Sequence, residues 1–402
     1  MTAMTRTAVG SATPTLLRGL IGALLALVLA LSPAGATRAV DGVHFEEPAA
    51  SGDFGEDVTF TTTFRTETPP LRVELVTRQP GEGSDRVAIA NVEREGDHWR
   101  ASVSQGGYIA PNTSWRYHFR AVTPDGSVEG PSAGHRVVDR RFDWTLLEGE
   151  DVRVWTYEGG EDLARRALDI AEAALDKTGT LLGIDELQPV DFFIYTDTRA
   201  FRQAMGPATR ENVGGQAHIA SRSLFGLIEP SQIDSDWVTE VISHELAHLV
   251  FHDVVDNPYQ YPPRWLNEGV AVYLSRGHSE ADRATVQAAA RAGAIIPLEG
   301  LGGQFPTRAS RQSLAYAESH DAVEYLVDNY GEPALVKLLK AFGEGRGLDG
   351  AFSWATGQDF EAFDLGWLAS LGAEPPTPYG PQPVEPGPVP DAWADAPRAL
   401  IG

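Results

Sequence analysis

The hydrophobic pattern changes period part-way along the chain, and that change sets the fold class. Between about Val43 and Val138, polar and apolar residues alternate in short runs: DVTFTTTF (Asp57 to Phe64), LRVELVTR (Leu71 to Arg78), HWRASVS (His98 to Ser104) and SWRYHFRAV (Ser114 to Val122). A period of two places successive side chains on opposite faces of a strand. The breaks TPP, PGEGSD, EREGD, APN and TPDG are turn formers, spaced as in a β-sandwich. VRVWTYEG (Val152 to Gly159) and PVDFFIYTD (Pro189 to Asp197) read as strands. Between them, Leu163, Ala167, Ile170, Ala171, Ala174, Leu175 and Thr178 form one helical stripe that ends at a glycine cap, Gly183. Gly214 to Pro230 reads as a strand pair or a long edge strand. Beyond Pro230 the pattern is helical, over about Asp236 to Phe251, Pro263 to Ser275, Glu280 to Ala292, Ser319 to Tyr330, Pro333 to Phe342 and Phe360 to Leu371. The expectation is an α+β chain: an all-β sandwich over 43–140, a unit of sheet plus helices over 151–373, and a Pro-rich, extended tail over 374–402.

Charge and cysteine usage narrow the function classes. The formal net charge is −24, with only three lysines (Lys177, Lys337, Lys340), so there is no basic stripe for a nucleic acid to follow. Arg6 and Arg18 precede an apolar run, GLIGALLALVLALS, which is followed by PAGA at Pro33 to Ala36. That order reads as a secretory signal peptide over 1–36, cleaved after Ala36, and places the mature chain outside the cytoplasmic membrane. The run is short of the ~20 residues a membrane span needs, and no second run of that length follows. With no cysteine, the chain has neither disulfides nor thiolate ligands, and its units are held by cores and bound ions.

VISHELAHLVFH (Val241 to His252) carries the chemistry. On a helix, residues four apart share a face, so His244 and His248 can offer two imidazoles to one ion. Glu245 lies about 100° round the helix, placed to reach a metal-activated water rather than the metal. Two ligands and a general base are the physical content of His-Glu-x-x-His. His252 stands two turns from His244, about 12 Å along the axis, too far to share an ion on a straight helix. Glu268, in PPRWLNEGVAVYL (Pro262 to Leu274), is the third candidate. It lies twenty positions after His248, beyond the turn residues of DVVDNPYQYPP, among apolar neighbours where a carboxylate needs a partner.

ISHELAHLVF followed by PRWLNEGVAVYLS resembles the gluzincin zinc metallopeptidases, and within them the peptidase MA-like relatives of thermolysin and the zinc aminopeptidases. VGGQAH (Val213 to His218), SLAYAESHDAVEYLVDNYG (Ser313 to Gly331) and AFSWATGQDFEAFDLGWLASL (Ala351 to Leu371) extend the likeness over about 152–371. The resemblance implies a thermolysin-like metallopeptidase domain behind an immunoglobulin- or fibronectin-like sandwich. It implies Zn2+ held by His244, His248 and Glu268, with Glu245 as base and a peptide or protein as substrate. For the oxyanion donor it implies Tyr316 first and His320 second. Two positions depart from the pattern. The edge strand carries Gln216 where zinc aminopeptidases hold a free amine with a glutamate, which points to an endopeptidase. Val272 stands where thermolysin-like enzymes place an orienting aspartate, which leaves Glu240 as a candidate for that role. The competing reading is a non-catalytic extracellular binding or adhesion protein with a structural zinc. Such sites are usually closed by four protein ligands, and here only three are well placed.

Overall fold

The structure, a computed structural model, describes residues 42–184, 186–206 and 214–375. The expected signal peptide, and the tail from residue 376 on, lie outside the described residues.

The front of the chain forms two five-stranded antiparallel sheets. In the first, β3 (Val58–Thr66) pairs with β1 (Val43–Phe45), β2 (Ala49–Ser51) and β7 (His98–Gln105), and β7 pairs with β6 (Asn91–Glu95). In the second, β8 (Ser114–Thr123) lies between β4 (Arg72–Arg78) and β10 (Ala133–Arg136), with β5 (Arg86–Ile89) beyond β4 and β9 (Gly126–Glu129) on β8. The inward residues of the alternating runs meet between the sheets. Phe60 and Phe64 from β3 face Trp115, Tyr117 and Phe119 from β8, all buried. The Phe60 ring stands edge-on to Tyr117 at 4.8 Å, a favoured aromatic geometry.

The third sheet runs β11 (Thr145–Glu148), β12 (Val152–Thr156), β13 (Val190–Tyr195), β15 (Ser223–Leu227), β14 (Gly215–His218). Its three middle strands are parallel and both edge strands antiparallel. Every residue of β13 is buried because both faces of the sheet are covered. Phe192 and Ile194 point to the helices, whereas Phe193 and Tyr195 join an aromatic cluster with Phe54, Phe142 and Trp144 from the front of the chain. Asp191, on that same front-facing side, takes two nitrogens of Arg153 (2.8 and 2.9 Å), Trp155 Nε1 (2.9 Å) and Asn112 Nδ2 (3.2 Å).

Among the described residues there are nine α-helices: α1 (Gly160–Leu182), α2 (Thr198–Met205), α3 (Asp236–Val255), α4 (Arg264–Arg276), α5 (Glu280–Arg291), α6 (Ala309–Tyr330), α7 (Glu332–Gly343), α8 (Leu348–Thr356) and α9 (Phe360–Leu371). The chain is thus mixed α+β, as expected. Two helices were not expected, α2 and α8, and α6 begins ten residues earlier than its pattern indicated. Helix α3 opens on a Ser235 cap, whose side chain accepts from Val238 N. It buries Val238, Ile242, Leu246, Leu249 and Val250 in the main core, and this places its other flank beside β14 and α4.

Candidate metal centre

Helices α3 and α4 bring three donors to one point. Nε2 of His244 and Nε2 of His248 are 3.2 Å apart, and each is 3.6 Å from Oε2 of Glu268. A tetrahedral zinc with bonds of about 2.1 Å has ligand-to-ligand edges of about 3.4 Å, so this triangle is one face of such a tetrahedron. Two imidazoles and one carboxylate are also the donor set of catalytic zinc sites, which leave the fourth position for water or substrate. Among the described residues, these three form the one group of His, Cys, Asp or Glu with donor atoms this close. The arrangement fits zinc.

Two of the three donors are held from outside. The Asn267 side-chain carbonyl accepts from Nδ1 of His248 at 2.8 Å, which fixes the tautomer and leaves Nε2 with its lone pair toward the cluster. Arg264, one turn before Glu268, donates from Nε (3.1 Å) and Nη2 (3.0 Å) to Oε1, so that Oε2 faces the histidines. Burial pushes the Glu268 carboxyl up, but the hydrogen bond from His244 and the charges of His248, His244 and Arg264 outweigh it and hold the group at about 2. Burial works to lower His244, but Glu268, then the charges of Glu245 and Glu240, bring it above its usual value.

Glu245, between the two histidines in sequence, reaches the edge strand. Leu227 N donates to Gly214 O at 2.8 Å, and the register pairs Gly215 with Gly226. Gly214, Gln216 and His218 therefore bond toward β15, and the N–H of Ala217 faces the open edge. There it donates to Oε2 of Glu245 at 2.9 Å. The approach is possible because residue 215 lacks a side chain: a Cβ there would come within 2.9 Å of both Glu245 Cγ and Val241 Cγ1.

The two candidate oxyanion donors part company. Tyr316 packs edge-on to Phe305 at 5.2 Å. Burial first, then the nearby charge of Glu268, pushes its hydroxyl up to about 12, with Arg264 opposing, so it keeps its proton beside the cluster. His320 does not join it. It is wholly buried, its Nδ1 donates to Asp282 Oδ2 at 2.9 Å, and its Nε2 lies 3.7 Å from Glu324. It lies one turn further along the same face of α6, where Asp282 of α5 meets its ring. Glu240 is likewise engaged elsewhere, by Nε and Nη2 of Arg276. The side chains that do contact the cluster from outside are Asn267 and Arg264. Both lie on α4 at one and four positions before Glu268, a spacing on the same helix that could have drawn attention to them. His252 stands apart from the cluster, with Nε2 3.8 Å from Asp256 Oδ1.

Residues 170–373 match the family described as the Peptidase MA superfamily. The chain belongs to the Peptidase MA superfamily. The His–His–Glu cluster lies within the matched residues and is a donor set suited to Zn2+. A 132-residue stretch is 29% identical to Aminopeptidase M1-B of Oryza sativa subsp. japonica, covering 33% of this chain and 14% of that protein. The chain therefore aligns with only a small part of that relative. Among solved structures, an aminopeptidase N family protein from Idiomarina loihiensis is similar at 11% identity with a TM-score of 0.42, over 80% of this chain and 75% of that one. An M1 zinc metallopeptidase from Deinococcus radiodurans is similar at 13% identity with a TM-score of 0.37, over 84% of this chain and 96% of that one. Among the described residues, no helix is long and apolar enough to cross a membrane.

Proposed function

We propose that this superfamily member is an extracytoplasmic zinc endopeptidase, with His244, His248 and Glu268 as ligands and Glu245 as the general base. The observation that carries the reading is the convergence of those three donors beside a carboxylate hydrogen-bonded to the open strand edge. When bound, zinc supplies a Lewis acid that lowers the pKa of water and polarises a carbonyl. The chain's own residues do the rest. An extended peptide adds to the free edge of β14, held by main-chain hydrogen bonds. Glu245 takes the proton of the attacking water and returns it to the leaving amine. Tyr316, its hydroxyl kept protonated, donates to the oxygen on which charge develops.

Gln216 supports endopeptidase action, since an amide can hydrogen-bond a chain passing through but cannot pair with a terminal ammonium. We further assign 43–140 to an immunoglobulin- or fibronectin-like sandwich and 151–373 to a thermolysin-like unit. Export follows cleavage after Ala36, which N-terminal sequencing of the mature protein tests directly.

The deciding experiment compares the native protein with Glu245→Gln on a mixed-length peptide library read by mass spectrometry, with zinc content measured in both. The expected result is internal cleavage by the native protein, stopped by a chelator. In the variant the rate should fall by about 10²- to 10⁴-fold with zinc retained. Unchanged cleavage in a zinc-loaded variant would remove Glu245 from the mechanism. Release of single N-terminal residues would make the enzyme an aminopeptidase.

A further inference from the structure

Arg264 has the spacing of an ordinary i,i+4 ion pair with Glu268, and exposed pairs of that kind contribute little. Its geometry is not ordinary. Two of its nitrogens go to a single carboxylate oxygen, Oε1, rather than one to each, and the carboxylate is buried. The other oxygen is left turned to both imidazoles at equal distance, 3.6 Å. The guanidinium is itself fixed from a different part of the chain. It lies over the Phe305 ring at 4.9 Å, and Nη1 donates to Gln304 Oε1 at 3.3 Å. The Arg264 backbone N–H is tied to Gly302 O at 2.9 Å. The 302–305 segment thus sets the guanidinium, and the guanidinium sets the rotation of the carboxylate.

We propose that Arg264 is a positioning residue that restricts Glu268 to one-oxygen ligation of the metal and thereby sets the affinity and coordination number of the site. The inference rests on the zinc reading above. A planar fork with both N–H vectors committed to Oε1 makes that oxygen a poor metal ligand, because its lone pairs are taken and a cation stands behind it. With Oε1 withheld, the protein offers three ligand atoms, and the site stays four-coordinate with one open position. A guanidinium could instead act only as a nearby positive charge that repels the metal. The two roles give opposite signs on removal: loss of a positioning group weakens metal binding, and loss of a repelling charge tightens it.

The test uses the full chain, stripped of metal, as native protein and as Arg264→Leu and Arg264→Lys. Zinc affinity is measured by competition with a chromogenic chelator, and the visible spectrum of the Co2+-substituted protein reports coordination number. Native protein is expected to bind one zinc and to give the intense d–d bands of four-coordinate cobalt. Arg264→Leu should bind zinc about 10- to 100-fold more weakly. Its cobalt bands should lose intensity as Glu268 closes on the metal with both oxygens. Arg264→Lys keeps the charge and much of the stem over Phe305 but lacks the fork, and should resemble the leucine variant. If the leucine variant does not fold, the lysine variant decides alone: weaker zinc binding with fainter cobalt bands supports the proposal. Affinity equal to or tighter than native, with native cobalt bands, overturns it. Failure of the native protein to bind zinc overturns the metal reading itself, and this inference with it.

Discussion

At the scale of single residues, the pairing of the two histidines was legible because it follows from helical spacing: His244 and His248 are one turn apart on whatever helix they occupy. Glu268 was legible for another reason, since a carboxylate among buried apolar positions demands a partner. Asn267 and Arg264 were not legible, because their roles depend on side-chain rotamers and on how closely α3 and α4 approach. The surroundings of His320 were hidden by the same limit, as spacing from Tyr316 cannot say that Asp282 on α5 will meet the ring. A further residue, Glu318, has a consequence for stability. Burial pushes its carboxyl up to about 8, although the Ile296 N–H at 3.1 Å and the charge of Arg311 favour the anion. Below the ordinary value of 4.5 the proton is held in folded and unfolded chains alike. From there to about 8 only the folded chain keeps it, so this residue's contribution falls as pH rises and levels off above the folded value. Each unit of that window is worth about 1.4 kcal/mol. Urea melts of native protein and Glu318→Gln across pH 4.5 to 8.5 should show the variant gaining steadily on the native protein; parallel curves would mean that the buried carboxyl is not protonated.

At the scale of elements, helices with a strong apolar stripe were found with ends near their true places, α1 and α9 among them. The start of α6 was missed because ASRQSLAYAE is rich in helix formers yet shows a stripe only once Leu314, Ala315 and Ala317 pack on their neighbours. The short α2 and α8 are two turns or so each, too brief for periodicity to register. The contact between α4 and α6 leads to a prediction of its own. Gly269, next to Glu268 of the cluster, lies against the α6 backbone: a Cβ there would meet Val323 Cγ2 and the Ser319 carbonyl carbon at 2.8 Å, and the Ser319 oxygen closer still. Gly269→Ala should destabilise the protein by about 1–3 kcal/mol through overpacking. It should also weaken zinc binding, since the helix can relieve the clash only by carrying Glu268 with it. A variant as stable as native in urea, with unchanged zinc affinity, would show that α6 yields freely.

At the scale of the whole molecule, the division into a β front and a helical rear was readable from the change of hydrophobic period, but their junction was not. PVDFFIYTD reads as a strand, and only the structure shows that one face meets the main helical core and the other meets α2 together with Phe54, Phe142 and Trp144. Asp191 is the polar centre of that junction, bound by Arg153 and Asn112 and 3.6 Å from Arg136. Bonding from Arg153 and Trp155 outweighs the effect of burial and keeps it ionised. Asp191→Ala leaves Asn112 and the arginines without their shared acceptor. It should cost about 3–5 kcal/mol in urea denaturation. Limited proteolysis should then cut between residues 138 and 151, where native protein resists; equal resistance would mean that the aromatic cluster alone holds the junction.

The open strand, the helix beneath it and all three metal donors come from Gly214 to Glu268, one unbroken stretch of 55 positions. Closure entropy grows with the length of chain between contacting groups, so a site assembled from neighbours loses less freedom in forming than one gathered from distant segments. The three-donor cluster and the strand edge beside it are in this sense a cassette. Insertions elsewhere in the chain lengthen none of its internal closures, whereas one between β14 and α4 lengthens them directly.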